Sequence, residues 1–286
     1  MTQESLQQNY RTPNPGTQNP AGRLRGRNIV VTGASRGIGK AIAQAYAREG
    51  ANLFLTATRL DLLNALRKEL AEFDINIACC AADLTSEAAL TDMFEQAVQW
   101  CKPLGGQQGG QLHAWVNNAG IYIGKPFAQY ALSEFDQLMK VNVYAVFQLM
   151  QLALSHMQAK GYGKIINISS TAGRWESANQ AAYNTSKHAV LGMTKCAALE
   201  YAGHGVRVNA ICPGMVNTDM FDQFKSHADN AGISLEQLKA NTTTRIPIGR
   251  FLEPEEIAHV AVYLASAESD GMTGQSIVIS GGMRMI

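Results

Sequence analysis

The chain has 286 residues, 46 % of them hydrophobic and 16 % charged, with a formal net charge of +1. That balance gives no electrostatic reason to expect nucleic acid or an anionic membrane surface as a partner. No apolar run approaches the ~20 residues that span a bilayer, so one soluble α/β domain with a large core is the expectation.

Residues 1–23 are rich in Gln, Asn, Pro and Thr and lack the apolar core of a signal peptide. They read as a disordered tail, leaving 24–286 as the folded domain. Strand-like runs follow at Ile29–Thr32, Asn52–Ala57, Asn76–Ala81, His113–Val116, Lys164–Ser169, Arg207–Ile211 and Ser276–Ile279. Helical patterns fill the gaps at Lys40–Glu49, Arg59–Glu72, Ser86–Lys102, Ser133–Lys160, Ala182–Ala202 and Pro254–Ser266. Such alternation predicts a single-domain, doubly wound parallel sheet of about seven strands with helices on both faces, a Rossmann-type fold. Two pieces interrupt it: a Gly/Gln-rich loop over 103–111, and an amphipathic stretch over 218–244 expected to form a small helical lid.

The first strand runs into Thr32-Gly33-Ala34-Ser35-Arg36-Gly37-Ile38-Gly39 and then into an alanine-rich helix. Glycines at such a strand-to-helix junction allow a tight turn and close backbone approach, with phosphate held at the helix N-terminus. A P-loop does not fit, because Ala34 stands where it needs glycine and Ala41 where it needs Ser or Thr. The five cysteines, at 79, 80, 101, 196 and 212, show no paired spacing, and Cys79-Cys80 read as buried reduced thiols. None of the six histidines has metal-ligand spacing, and no metal site is expected. A reduced, cytoplasmic protein follows from these counts.

Tyr183 and Lys187 stand four residues apart on a predicted helix, and Ser170 ends the apolar run Ile165-Ile166-Asn167-Ile168 upstream. Positions i and i+4 share a helix face, so phenol and ammonium can enter one cleft. A neighbouring positive charge lowers a tyrosine pKa from ~10 and makes the phenol a usable general acid and base. Ser170 can offer its hydroxyl to the same substrate oxygen.

Thr32-Gly33-x3-Gly37-x-Gly39, Asn117-Asn118-Ala119-Gly120, Asn142, Ser170, Tyr183-x3-Lys187 and Pro213-Gly214 occur in this order along the chain. From about Leu24 to the C-terminus the sequence resembles the short-chain dehydrogenase/reductase family. In Arg245-Ile246-Pro247-Ile248-Gly249-Arg250 and Gly281-Gly282-Met283 it is similar to the 3-oxoacyl thioester reductases and stand-alone polyketide ketoreductases. The resemblance implies NADPH-dependent reduction of a ketone to a secondary alcohol. Asn142, Ser170, Tyr183 and Lys187 would be the catalytic set, with Asn142 carrying a water that relays protons to Lys187. Cofactor contacts would come from Gly33, Ser35, Arg36, Gly37, Ile38, Gly39, Thr58, Arg59, Asp83, Leu84, Asn118, Ala119, Gly120, Tyr183, Lys187, Pro213, Gly214, Val216 and Thr218. Asp83 would meet the adenine, unless it caps the next helix. Asn117 to Gly120 would floor the adenosine end, and Thr218 would hold the nicotinamide carboxamide.

NAD-preferring relatives place a carboxylate after the second strand, where it would repel a 2′-phosphate. Here Leu55-Thr56-Ala57-Thr58-Arg59 has no acid until Asp61. Arg36, Arg59 and Thr58 therefore favour NADP(H), the alternative being that Arg59 is a surface residue opening the next helix. Ile121, Tyr122, Trp175, Met215, Met220, Phe221 and Phe224, with Ser170, are the expected substrate pocket, suited to an acyl chain or a ring. Relatives acting on carrier-protein thioesters carry basic residues before the fifth and sixth strands, where Gly161 and His204 stand here. A 3-oxoacyl thioester is the expected substrate. An alcohol dehydrogenase acting on a free secondary alcohol or ketone is the second reading, and a non-catalytic NADP-binding regulator the third. A homotetramer (or a dimer) built through Ser133–Lys160, Ala182–Ala202 and Ser276–Ile279 is also implied by the resemblance.

Overall fold

The computed structural model describes residues 22–104 and 110–284. The tail expected over 1–23 lies outside the described residues up to 21, as does the middle of the 103–111 loop.

Seven strands form one parallel sheet: β1 (Asn28–Thr32), β2 (Asn52–Ala57), β3 (Ile77–Ala81), β4 (Ala114–Asn117), β5 (Gly163–Ile168), β6 (Val206–Pro213) and β7 (Ser276–Ile279). Their spatial order is β3-β2-β1-β4-β5-β6-β7. Strand β1 pairs with β2 on one side and β4 on the other, placing Phe54 and Trp115 on either side of Val30. Chain order reverses here, and open α/β sheets leave a ligand crevice at such a switch, beyond the carboxyl ends of the strands.

The strands are apolar at nearly every position because both faces are covered. Ile29, Val31, Leu53 and Leu55 face a cluster with helices α1 (Gly37–Arg48), α2 (Leu60–Glu69) and α9 (Pro254–Ala265). Val30, Phe54, Trp115 and Ile165 face the opposite cluster with α3 (Glu87–Cys101), α5 (Ala145–Lys160) and α6 (Ala181–Tyr201). Odd and even residues of one strand thus serve two cores, as the pleat requires. The Tyr46 hydroxyl, buried in α1, donates to the Ala261 carbonyl of α9 at 3.0 Å and ties that layer together.

The helix predicted over Ser133–Lys160 is not continuous. α4 (Leu132–Met139) passes into a π-helical turn over Lys140–Tyr144 before α5 begins. The lid predicted over 218–244 consists of a 3₁₀ segment (Asp219–Phe224), α7 (Lys225–Asn230) and α8 (Leu235–Thr243). Phe221, Ile246 and Phe251 give it a small core of its own. The five cysteines are free; Cys80 is buried, but Cys79 is only half-buried, since β3 is the edge strand. No helix among the described residues is long and apolar enough to cross a membrane.

Candidate active site

A cleft of about 1040 Å³ opens across the carboxyl ends of the strands. At its β1 end the glycine loop is held by β4. The Thr32 hydroxyl donates to the Val116 carbonyl at 3.2 Å and accepts from the amides of Asn118 and Ala119 at 3.0 and 3.1 Å. The Asn118 side chain donates back to the carbonyls of Thr32 and Gly33. These contacts leave no room for side chains at two glycines. A Cβ on Gly39 would stand 2.2 Å from the Gly33 carbonyl oxygen, and Gly33 has φ +66°.

The residues fit a dinucleotide. Helix α1 begins without a side-chain cap, so its first amides are free for an anionic group. The buried Thr56 hydroxyl, on the cleft wall, has no hydrogen-bond partner among the described residues. Gly33, Ser35, Arg36, Gly37, Ile38, Gly39, Thr58, Asp83, Leu84, Asn118, Ala119 and Gly120 line this part of the cleft, and Pro213, Gly214, Val216 and Thr218 line it from the β6 side.

Arg59 does not line the cleft. Its guanidinium pairs with the Asp61 carboxylate two residues on, in solvent. Its second possibility, a surface residue opening the helix, describes this arrangement. Asp83 does line the cleft, but its carboxylate accepts from the Thr85 amide and hydroxyl at 2.9 and 2.8 Å. Those bonds hold its pKa below the usual carboxylate range. The helix cap there is Ser86, which accepts from the Ala89 amide. Asn117 is also placed differently from expectation. Its side chain points into the core, accepting from Trp115 Nε1 at 2.8 Å and donating to Asn167 Oδ1 at 2.9 Å. It braces β4 against β5 instead of flooring the cleft.

Ser170, Tyr183 and Lys187 come together in the middle of the cleft. Ser170 lies two residues beyond β5 and caps a 3₁₀ turn, accepting from the Ala172 amide at 3.1 Å, which fixes its Oγ. Tyr183 and Lys187 lie on one face of α6, with Nζ 5.6 Å from the phenol ring centroid. Burial pushes the Tyr183 phenol up to about 12, with the Ser170 hydroxyl drawing it back down. The expected lowering by Lys187 is therefore absent. That ammonium is itself buried, which depresses it to about 8, and it donates to the Ile168 carbonyl at 3.1 Å.

Asn142 sits behind this trio, in the π-helical turn, and does not line the cleft. Its Oδ1 accepts from the Ile121 amide and its Nδ2 donates to the Ile121 carbonyl, both at 2.9 Å. Nδ2 also reaches the Ser186 hydroxyl at 3.2 Å. The side chain thus anchors the backbone following Gly120. π-Turns occur often at functional sites because they turn a side chain out of the regular helical register.

Tyr122, Trp175, Met215, Met220, Phe221 and Phe224, with Ile121, also line the cleft. Tyr122 stacks on Phe224 (4.5 Å between centroids, 10° between planes) and meets Tyr183 edge to face at 5.0 Å. His227, unremarked in the sequence, is bonded through Nε2 to the Tyr122 hydroxyl. Burial lowers its pKa. No periodicity or motif marks a single histidine in a lid, so sequence had no signal for it. Among the described residues no group of three His, Cys, Asp or Glu side chains is placed to hold a metal ion.

Comparison with known proteins agrees with this architecture. The profile of the family described as enoyl-(acyl carrier protein) reductase matches residues 33–284. An uncharacterised oxidoreductase of Bacillus subtilis is 37 % identical over 261 residues, which cover 91 % of this chain and 98 % of the relative. A 3-oxoacyl-[acyl-carrier-protein] reductase of Thermotoga maritima is 34 % identical over 261 residues, covering 91 % and 99 %. Among solved structures, an actinorhodin polyketide ketoreductase with NADPH superposes with TM-score 0.83 at 32 % identity, covering 90 % of this chain and 97 % of that one. With the glycine loop, the Ser170–Tyr183–Lys187 centre and these full-length matches together, the chain belongs to the short-chain dehydrogenase/reductase family of oxidoreductases.

Proposed function

We propose that the protein reduces a ketone to a secondary alcohol with NADPH, and that a 3-oxoacyl thioester is the substrate. The observation that carries this is the meeting of Ser170 and Tyr183 beside an apolar, aromatic pocket at the open end of a dinucleotide cleft. NADPH, when bound, supplies the hydride. Tyr183, protonated across the physiological range at a pKa of about 12, gives its proton to the carbonyl oxygen. Ser170 donates a hydrogen bond to that oxygen and supports the charge that develops there. Lys187 would hold the nicotinamide ribose, and the Ser170 hydrogen bond favours the tyrosinate left after transfer. Asn142 fixes Ile121 and, on the side of Lys187, supports the water that returns a proton. Arg36 and Thr58 select the 2′-phosphate, joined by Arg59 once it leaves Asp61.

Oxidation of a free secondary alcohol is the second reading. Gly161 and His204, where carrier-protein relatives are basic, favour it. The protein works in a reducing cytoplasm, consistent with five free thiols. It assembles as a homotetramer through α4–α5, α6 and β7, where Tyr144, Phe147 and Leu199 are 56, 50 and 85 % exposed. Sedimentation as a monomer at working concentration would remove that assembly.

Initial rates of NADPH oxidation with acetoacetyl-coenzyme A, set beside an uncharged cyclic ketone, test the substrate. A preference for the thioester supports the 3-oxoacyl reading. A preference for the free ketone replaces it with a carbonyl reductase.

A further inference from the structure

The lid meets the rest of the chain at two places: Phe221 packs on Ile246 and Phe251, and α7 packs on the segment after β4. Residues 122–124 follow the Asn118-Ala119-Gly120 turn, and α7 packs directly over them. The Ser226 hydroxyl donates to the Gly124 carbonyl at 3.0 Å, and the adjacent His227 bonds the Tyr122 hydroxyl. His227 also lies 5.2 Å, ring to ring, from Phe224. Tyr122 is therefore gripped on three sides: by His227 at its hydroxyl, by Phe224 on its face and by Tyr183 at its edge.

Gly124 gives independent testimony to this pair. A Cβ there would stand 2.4 Å from His227 Nε2 and 2.5 Å from the Tyr122 hydroxyl oxygen. Its φ is not positive, so no backbone conformation demands glycine at this position. The space is needed by the histidine–phenol pair.

We infer that His227 is a positioning residue for substrate: by holding the Tyr122 hydroxyl, it seats the lid and fixes the aromatic wall that faces Tyr183. A phenol whose hydroxyl is spent on the lid presents a ring, not a free donor, to the substrate beside the reacting carbonyl. The pocket therefore reads apolar or planar substituents there, and the lid cannot lift without releasing Tyr122. The inference rests on the ketone-reductase reading only for its kinetic arm.

The test compares His227→Ala, His227→Gln, His227→Asn, Tyr122→Phe, Gly124→Ala and the His227→Ala/Tyr122→Phe double variant. Two readouts are used: steady-state kinetics with the ketone the wild type prefers, and hydrogen–deuterium exchange across 219–243. His227→Ala should raise the ketone KM about tenfold, while kcat and the NADPH KM stay within about twofold. Exchange across the lid should quicken by a similar factor. Tyr122→Phe and Gly124→Ala should reproduce both changes, and the double variant should be no worse than either single one, because coupled partners are not additive. His227→Gln, whose amide reaches the position of Nε2, should recover most of the loss, and His227→Asn should not.

Unchanged lid exchange in His227→Ala, or additive effects in the double variant, overturns the inference. So does equal rescue by Gln and Asn. A wild type that reduces no ketone defeats the functional reading alone, since the exchange arm still decides the role of His227. Should His227→Ala fold poorly, Tyr122→Phe and Gly124→Ala carry the same comparison.

Discussion

Lys187 and Tyr183 share a face of α6, yet the lysine gives its hydrogen bond to the Ile168 carbonyl at 3.1 Å and not to the phenol. Nζ stands 5.6 Å from the tyrosine ring centroid. Lys187 is buried and Tyr183 part-buried, and loss of water moves them in opposite directions: the phenol up to about 12, the ammonium down to about 8. Desolvation, which penalises each charged form, dominates both shifts, and the Ser170 hydrogen bond only partly offsets it at the phenol.

That burial has a measurable cost. A lysine at about 8 in the folded chain and 10.5 when unfolded makes the unfolded state bind more protons between those values, so stability rises with pH across that window. Below about pH 8 the penalty is complete, about 3 kcal/mol at ~1.36 kcal/mol per pKa unit. Lys187→Met should therefore unfold at higher denaturant than wild type near pH 7. Its advantage should shrink as pH climbs from 8 towards 10.5. An advantage that grows over that range contradicts the assignment.

Asn142 satisfies both main-chain groups of Ile121 at once. Asn142→Ala orphans that amide and carbonyl, at roughly 1–3 kcal/mol for each buried group left unpaired. Urea unfolding should show a loss of about 2 kcal/mol or more. Turnover should fall with it, because Gly120, next to Ile121 in the chain, borders the Lys187 ammonium.

Gly39→Ala should remove nucleotide binding. The added Cβ would collide with the Gly33 carbonyl oxygen at 2.2 Å and with Asn118 Nδ2 at 2.4 Å, both fixed by other bonds. Fluorescence titration with NADPH should show affinity at least ~10-fold weaker. Wild-type affinity in this variant would mean the loop is not the phosphate site.

The proposed preference for NADPH is tested at Arg36 and at the Arg59–Asp61 pair. Arg36→Ala should weaken NADPH about tenfold and leave NADH nearly unchanged, as a charge-assisted bond contributes ~1.5–3 kcal/mol. Asp61→Asn frees Arg59 from its present partner and should raise the preference for NADPH over NADH. The ratio of kcat/KM for the two cofactors is the measurement.

The sheet was legible because fully buried parallel strands are short apolar runs, and those in β1, β2 and β5 stand out between helical patterns. The clustering of Ser170, Tyr183 and Lys187 was legible because its spacing is local: four residues on one helix and a serine just past a strand end. Three features were not legible, each for a physical reason. The π-turn at Lys140–Tyr144 leaves no break in the apolar pattern, so the helix read as continuous. Arg59 was read toward the cleft because its partner, Asp61, competes for it through a geometry that spacing alone does not show. His227 owes its place to tertiary packing of a lid whose own sequence is irregular.

The central claim is that Tyr183 passes the proton. The most direct test is Tyr183→Phe, with kcat for NADPH oxidation in the presence of acetoacetyl-coenzyme A and the NADPH dissociation constant measured side by side. Loss of a positioned general acid costs ~10²–10⁴-fold in rate, so turnover should fall at least about 100-fold while NADPH affinity stays within about twofold. A variant that keeps a tenth or more of the wild-type rate would contradict the account.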